Sequence, residues 1–479
     1  MQPTQIFAAL LVLLHAAVIV RAIMLQGRDP YARAAWVMAL MLFPVLGLLA
    51  YLMFGEPWMS RRFKRRANRY YRQLTRLQST LGGDAALDDV PQAYRAPFRV
   101  AENIAQLETT PGNAMTLAAD SDEAIAWMIA DIAAARRSVH LSTYIWLQDG
   151  NGLAMVEAIA AAARRGVRCR IAADAIGSRA MIASKHWRAM AEAGATLCPS
   201  LSLPRGIAPF AARRMDLRNH RKLLIVDGAI SYAGSQNIAD AAFRIKPRFA
   251  PWVDIMLRFE GPVSKQHQIL FASAWTVEMG EDLSAELDSE NPAPIPGGFP
   301  AVAFGTGPLS RRGAMSSAFV AMLYAAEKEV VVTTPYFVPD PPLLAAIIAC
   351  ARRGVATRIV LPARNDSRVI GAIGRALYAQ LVDAGVELYE YRPGLLHAKT
   401  LVVDQRLCLI GSANMDRRSL ELNFENDLVF DSPEAAAAIH ARQLSYLQDS
   451  ERVDEARVKN RSIAKRFAEN LLTMAGAIF

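Results

Sequence analysis

The stretch from Asn219 to Asp227 recurs from Leu396 to Asp404, and this repeat limits what the chain can fold into more than any other feature. The first copy carries His220, Lys222 and Asp227, and after six intervening residues come Gly234, Ser235 and Asn237. The second carries His397, Lys399 and Asp404, followed at the same interval by Gly411, Ser412 and Asn414. Residues two apart on a strand face one side. Each copy is therefore expected to present an imidazole and an ammonium together, and the Leu, Ile and Val residues that follow to form the buried part of the strand.

The likeness extends in both directions. Asp254 to Pro262 aligns with Glu425 to Pro433, so an acid follows each His. Upstream, Ala163-Arg-Arg-Gly-Val167 echoes Ala351-Arg-Arg-Gly-Val355, and the run ending in Tyr144 resembles the one ending in Tyr336. So long a period means repeated domains and implies two similar α/β halves, as does a length of 479 residues, which exceeds what one core holds.

Helical spacing is expected over 118–135, 154–165, 316–328, 343–352 and 369–384, with strands at 138–147, 168–174, 330–334 and 357–361. This β-α-β rhythm predicts a largely parallel sheet. The halves are placed at 111–285 and 286–450, with a Pro- and Gly-rich linker at 281–300 and a helical tail at 451–479. The tail reads equally as an interfacial amphipathic helix or as a last packing helix.

Residues 1–56 read as a membrane anchor. The runs 6–20, apolar except for His15, and 34–54, apolar throughout, are long enough to cross a bilayer if the first extends toward 25. Arg28, Asp29, Pro30 and Arg33 lie between them. The segment 57–110 opens with Arg61, Arg62, Lys64, Arg65, Arg66, Arg69 and Arg72 and no acid up to that point, which by the positive-inside rule keeps this flank, the N-terminus and the body of the protein cytoplasmic. The same cluster, with Phe63, Tyr70 and Tyr71, also suits anionic headgroups. A net charge of +9 points to an anionic partner, and the spans favour lipid over nucleic acid. Four scattered cysteines without a CxxC pair suggest neither a zinc site nor a disulfide framework.

Two histidines suit displacement at phosphorus: one attacks and the other protonates the leaving oxygen, then deprotonates the incoming one. Lys222, Lys399, Asn237 and Asn414 are candidates for holding the oxygens of a phosphorane-like transition state, so the chemistry calls for no metal or other cofactor. Asp254 and Glu425 are expected to accept a proton from the far nitrogen of each imidazole. Ser235 and Ser412 are candidates for binding substrate and orienting the site, or for turn residues. Asp227 and Asp404 complete the motifs and are counted with the catalytic set, although they end apolar strands where an acid can simply anchor a turn.

The paired motifs resemble the HKD motifs of the phospholipase D superfamily over residues 120 to 445. The resemblance implies two pseudo-twofold-related α/β sandwich domains, preceded here by two transmembrane helices, with one active site between them. It also implies a phosphohistidine intermediate on His220, His397 as acid and base, no metal, and structural motif aspartates. The twin-span start ending Tyr51-Leu-Met-Phe-Gly-Glu56, the stretch Trp252 to Pro262 and Asn423-Phe-Glu-Asn-Asp427 are similar to the bacterial cardiolipin synthases. That likeness implies a multi-pass protein of the bacterial inner membrane that moves a phosphatidyl group from one phosphatidylglycerol to another, and it leaves homo-oligomer formation open. A membrane-anchored phospholipase D-type phosphodiesterase is the alternative. The cytidine-diphosphate route would need a DGxxAR motif, and Asp227-Gly228 continues instead as Ala-Ile-Ser-Tyr.

Overall fold

The computed structural model describes residues 2–25, 30–56, 59–78, 84–202 and 216–476. Arg28 and Asp29, named above for the loop between the apolar runs, lie outside them. Among the described residues fifteen strands form one continuous sheet. Its second-half side runs Ser450–Arg452, Glu387–Tyr391, Ala356–Pro362, Glu329–Thr333, Thr400–Val403, Leu407–Gly411, Glu425–Asp431 and Phe299–Thr306. Its first-half side continues with Thr110–Leu117, Met256–Glu260, Ile230–Gly234, Leu223–Val226, Ser138–Thr143, Arg168–Asp174 and Thr196–Ser200. Strands equivalent in the repeat stand at equal distances from the central pair, Phe299–Thr306 against Thr110–Leu117. The pseudo-twofold axis passes between those two strands.

The expectation of a largely parallel sheet is corrected. Within the fifteen-stranded sheet the parallel pairings are confined to Ser138–Thr143, Arg168–Asp174 and Thr196–Ser200 with one another, and likewise to Glu329–Thr333, Ala356–Pro362 and Glu387–Tyr391. The strands next to the axis are antiparallel, because each motif strand ends in a tight turn, at Asp227-Gly228 or Asp404-Gln405, and a tight turn can only return the chain beside itself. The Arg-Arg-Gly-Val repeat is a helix stop. After Gly150–Arg164 and Pro341–Arg352 the glycines Gly166 and Gly354 take φ 87° in both copies, and the following valine N–H groups reach back to the carbonyls of Ala162 and Cys350. The helix expected over 369–384 is divided into Arg368–Ala376 and Tyr378–Asp383. The stretch 281–300 is no free spacer: Glu281 and Glu286 pair with Arg170, Ser284–Ser289 is a helix, and Phe299 opens the central strand.

Helix Val263–Met279 is buried along most of its length. Outside it lies the basic helix Arg61–Thr75, capped by the Ser60 hydroxyl, with Ala67 and Leu74 turned inward and Arg66 donating to the Thr276 carbonyl at 2.9 Å. Arg61, Lys64, Arg65, Arg69 and Arg72 face outward.

At the N-terminus, helix Pro3–Met24 packs against a second apolar run that is not one helix. It divides into Pro30–Leu42, Pro44–Ala50 and a π turn at Tyr51–Gly55, because Pro44 supplies no N–H and its ring clashes with the preceding turn. Among the described residues no helix is long and apolar enough to cross a membrane, so the expected pair of regular spanning helices is not what the structure presents. The hairpin holds together through Val18, Ala22, Trp36, Leu40, Leu48 and Tyr51, and Arg21 pairs with Glu56 at 2.6 Å.

Candidate active site

The two motifs meet at the axis by exchanging partners. The His220 N–H donates to the Phe424 carbonyl at 2.9 Å, and the His397 N–H to the Val253 carbonyl at 2.8 Å, so each motif is docked on the strand entry of the other half. The side chains cross in the same way. His220 Nδ1 lies 2.7 Å from Glu425 Oε2, and His397 Nδ1 lies 2.6 Å from Asp254 Oδ1. Sequence order shows that an acid follows each His; the structure assigns each acid to the other half's His.

The serines orient these carboxylates. Ser235 Oγ donates to Asp254 at 2.6 Å and accepts the Ile255 N–H, while Ser412 Oγ donates to Glu425 at 2.5 Å and accepts the Asn426 N–H. The structure thus gives them protein partners behind the imidazoles, in place of the substrate-binding position considered for them. The glycine before each serine is needed because a Cβ on Gly234 would collide with the Ile255 carbonyl, and one on Gly411 with that of Asn426.

His220 and Lys222 lie just before strand Leu223–Val226, and His397 and Lys399 just before Thr400–Val403, so neither pair is on a strand as the spacing suggested. Lys222 Nζ donates to the His220 carbonyl at 2.7 Å and Lys399 Nζ to the His397 carbonyl at 2.6 Å. An ammonium has three protons, so two remain on each lysine for a ligand. Asn237 accepts from the Ile145 N–H at 3.1 Å, and Asn414 donates to Ser419 Oγ at 3.1 Å while its buried Oδ1 has no partner among the described residues.

Asp227 and Asp404 stand apart from the imidazoles. Each takes φ 52° at the turn after its strand, a conformation that Asp tolerates. Asp227 accepts three N–H groups, from Arg136, Arg137 and Ser138, and Asp404 accepts three, from Glu327, Lys328 and Glu329. They tie the turn to the start of the neighbouring strand, which removes them from the reacting set. Asp227→Ala should cost about 3 kcal/mol of stability by orphaning three donors. Denaturant unfolding would measure the loss, and turnover per folded molecule should stay within about threefold; an inactive but fully stable variant would contradict this assignment.

Burial governs the charges. It pushes His220 down to about 4 despite the neighbouring Glu425 carboxylate, and it lowers His397 too. Burial also brings Lys222 down to about 8 and Lys399 to about 7. For Glu425 and Asp254 burial acts upward, but the imidazoles and lysines beside them outweigh it and hold both carboxyls below their usual range. Each imidazole is therefore neutral, with its proton on Nδ1 facing a carboxylate and the lone pair of Nε2 left for chemistry.

Several neighbours escaped the sequence reading. The Tyr144 ring lies 4.9 Å edge-on from that of His220, with Lys222 Nζ 5.5 Å from the tyrosine centroid. Trp252 lies 4.8 Å from the His397 ring, Asn423 donates to Glu425 at 3.2 Å, and the Lys222 N–H donates to Asn426 at 2.9 Å. Tyr144 was within reach as the repeat partner of Tyr336. That residue instead donates to Asp366 at 2.7 Å, so the halves are alike in backbone and unlike in use.

A site made of two such repeats defines the chain as a phospholipase D-like protein. A family model described as "Cardiolipin synthase, PLD-like domain" matches residues 128–251 and 319–444, and one described as "Phospholipase_D-nuclease N-terminal" matches 13–56. The chain belongs to the cardiolipin synthase family. It is 34% identical to cardiolipin synthase A of Klebsiella pneumoniae over 96% of its own length and 95% of that protein, and 33% identical to cardiolipin synthase A of Escherichia fergusonii with the same coverage. The phosphatidylserine synthase of Haemophilus influenzae is similar in fold, with a TM-score of 0.57 at 12% identity, over 79% of this chain and 99% of that one.

Proposed function

We propose that the chain makes cardiolipin by transferring a phosphatidyl group from one phosphatidylglycerol to another, releasing glycerol, at a single site shared by both halves. The observation that carries the chemistry is the crossed pair His220–Glu425 and His397–Asp254; the choice of reaction is supported by relatives named cardiolipin synthase A over nearly their whole length.

His220 Nε2 attacks phosphorus, the bond to the glycerol headgroup oxygen breaks, and His397 gives that oxygen its proton. The entering phosphodiester brings negative charge to a pocket of lysines and imidazoles, which favours the protonated His397 that this step requires. Lys222 and Lys399 hold the non-bridging oxygens. The hydroxyl of a second phosphatidylglycerol then attacks phosphorus as His397 takes its proton, and the bond to His220 breaks. One phosphodiester is exchanged for another, so no nucleotide is consumed.

The protein is held at the bacterial inner membrane by the N-terminal hairpin, with its body cytoplasmic. Support comes from Leu10 to Leu14, Met41 to Phe43, Val45, Leu46, Leu49 and Leu52, which turn apolar side chains outward, and from the outward basic face of helix Arg61–Thr75. The fused active site needs no second copy of the chain.

The pH dependence follows from the two ends of the chemistry. The attacking His220 must be neutral, so kcat/KM falls as pH drops toward about 4. The lysines must be charged, so it falls again as pH rises through about 7 to 8. Initial rates across that range in detergent should give this bell, and a single limb rising to pH 10 would contradict the role of the lysines. The reading as a whole is tested by supplying the solubilised protein with labelled phosphatidylglycerol and chelator, without nucleotide. Cardiolipin and free glycerol are expected; phosphatidic acid alone would make the protein a phosphodiesterase.

A further inference from the structure

The tail helix Ile463–Gly476 is attached by one side. Glu469 is buried and accepts from Arg375 at 3.4 Å and Arg461 at 3.0 Å, while Arg461 also reaches the Arg375 carbonyl at 2.6 Å. This seats the tail on helix Arg368–Ala376. Ile463, Phe467 and Leu471, spaced by four, are 84%, 69% and 55% exposed. At about 100° per residue Glu469 lies about 200° round the helix from Phe467, so the exposed stripe is opposite the docked side. Isolated apolar residues on a surface need no explanation, but a stripe of three large ones on one helix face does.

The helix beneath runs from the tail's seat at Arg375 back to a contact with the other half. It begins with exposed Arg368 and with Val369, 51% exposed. Two residues earlier Asp366 accepts from Lys246 of the other half at 2.5 Å. The Lys246 loop exposes Ile245, 59%, together with Arg244 and Arg248. The inner side of that loop is Phe243, stacked at 3.6 Å on Trp252, the ring beside His397. Exposed Ile245 and Val369 and the exposed arginines Arg244, Arg248 and Arg368 therefore flank a contact between the halves whose inner ring, Phe243, stacks on the Trp252 beside His397.

We propose that the tail helix lies in the interface of an anionic leaflet and, with Ile245 and Val369, seats the second-half mouth of the active site on the lipid. The apolar stripe enters the acyl boundary and the arginines meet the headgroups, so this second attachment tilts the body toward its substrate. The inference rests on the phosphatidyl-transfer reading for the identity of the lipid.

The four cysteines are all buried, so a cysteine introduced on the surface can be labelled selectively. The full chain, carrying bimane at Phe467→Cys or at the exposed Ala161→Cys on the first half, is reconstituted into vesicles of phosphatidylglycerol and phosphatidylethanolamine. Nitroxide on the lipid acyl chains should quench the label at 467 and spare that at 161, and aqueous iodide should do the reverse. The triple variant Ile463→Ser, Phe467→Ser, Leu471→Ser should need about tenfold more surface phosphatidylglycerol for half-maximal rate in vesicles and keep its rate in detergent. Iodide quenching at 467 with an unaltered triple variant would overturn the proposal and leave the tail a packing helix. Lipid-independent crosslinking between Phe467→Cys chains would overturn it in favour of a second copy on the stripe. Quenching reports the surface alone, so absence of cardiolipin in detergent would count against the transfer reading without touching this one.

Discussion

His220→Ala and His397→Ala should each lower phosphatidyl transfer by about ten-thousandfold, and the double variant should be only slightly worse than either. Neither imidazole can substitute for the other once one is gone, because a single lone pair at the axis cannot both form the bond to phosphorus and manage the proton of the departing glycerol. The two losses should still differ in kind. With an activated phosphatidyl ester such as the p-nitrophenyl derivative, the leaving group departs without a proton. His397→Ala should then release one equivalent of nitrophenol rapidly and stall, whereas His220→Ala should release none. Stopped-flow absorbance separates the cases, and equal bursts from both variants would contradict the division of labour. Thermal unfolding of each variant provides the control, since Glu425 or Asp254 loses its buried partner.

The next largest effect should come from a residue in the half opposite to the one it serves. Glu425→Gln should lower kcat by about a thousandfold or more, since a carboxamide no longer fixes the His220 proton on Nδ1 and part of the imidazole population then presents the wrong tautomer. Glu425 is buried and also held by Ser412 and Asn423, so the substitution leaves the carboxylate's place occupied by a side chain of the same shape. The crossed geometry sets the sign of the test. On the activated ester Glu425→Gln should abolish the burst, as His220→Ala does, although it lies in the second half. Asp254→Asn, in the first half, should preserve the burst and block turnover, as His397→Ala does. The opposite assignment of the two phenotypes would show that each acid serves the His of its own half.

The sequence made the reacting groups visible because the chemistry is written locally. A His, a Lys two residues on, a Gly-Ser step and a later acid are short-range patterns, and their repetition removes coincidence. It hid what depends on the approach of the two halves. The crossing of His220 to Glu425 requires the central pairing of Thr110–Leu117 with Phe299–Thr306, and nothing in either strand announces its partner. Spacing by two predicts a strand for His220 and Lys222, but their N–H groups bond to Phe424 and Asn426 of the other half. The parallel sheet was inferred from helices between strands, and the tight turns at Asp227 and Asp404 reversed it near the axis. Those same aspartates look catalytic because they are acids inside a motif; their left-handed φ and three accepted N–H groups make them turn anchors. Tyr144 and Trp252 were missed because an aromatic ring beside a strand reads as core until its neighbour is known.

Everything in the proposed chemistry passes through a phosphatidyl group carried on His220 at a site completed by the other half. The measurement that tests it most directly is to react the His397→Ala protein with the activated phosphatidyl ester, quench in alkali to preserve a phosphorus–nitrogen bond, digest, and map the adduct by mass spectrometry. One phosphatidyl group is expected on the peptide containing His220 and none on any other. An adduct on a different residue, or nitrophenol released in a burst with no adduct on the chain, would contradict it.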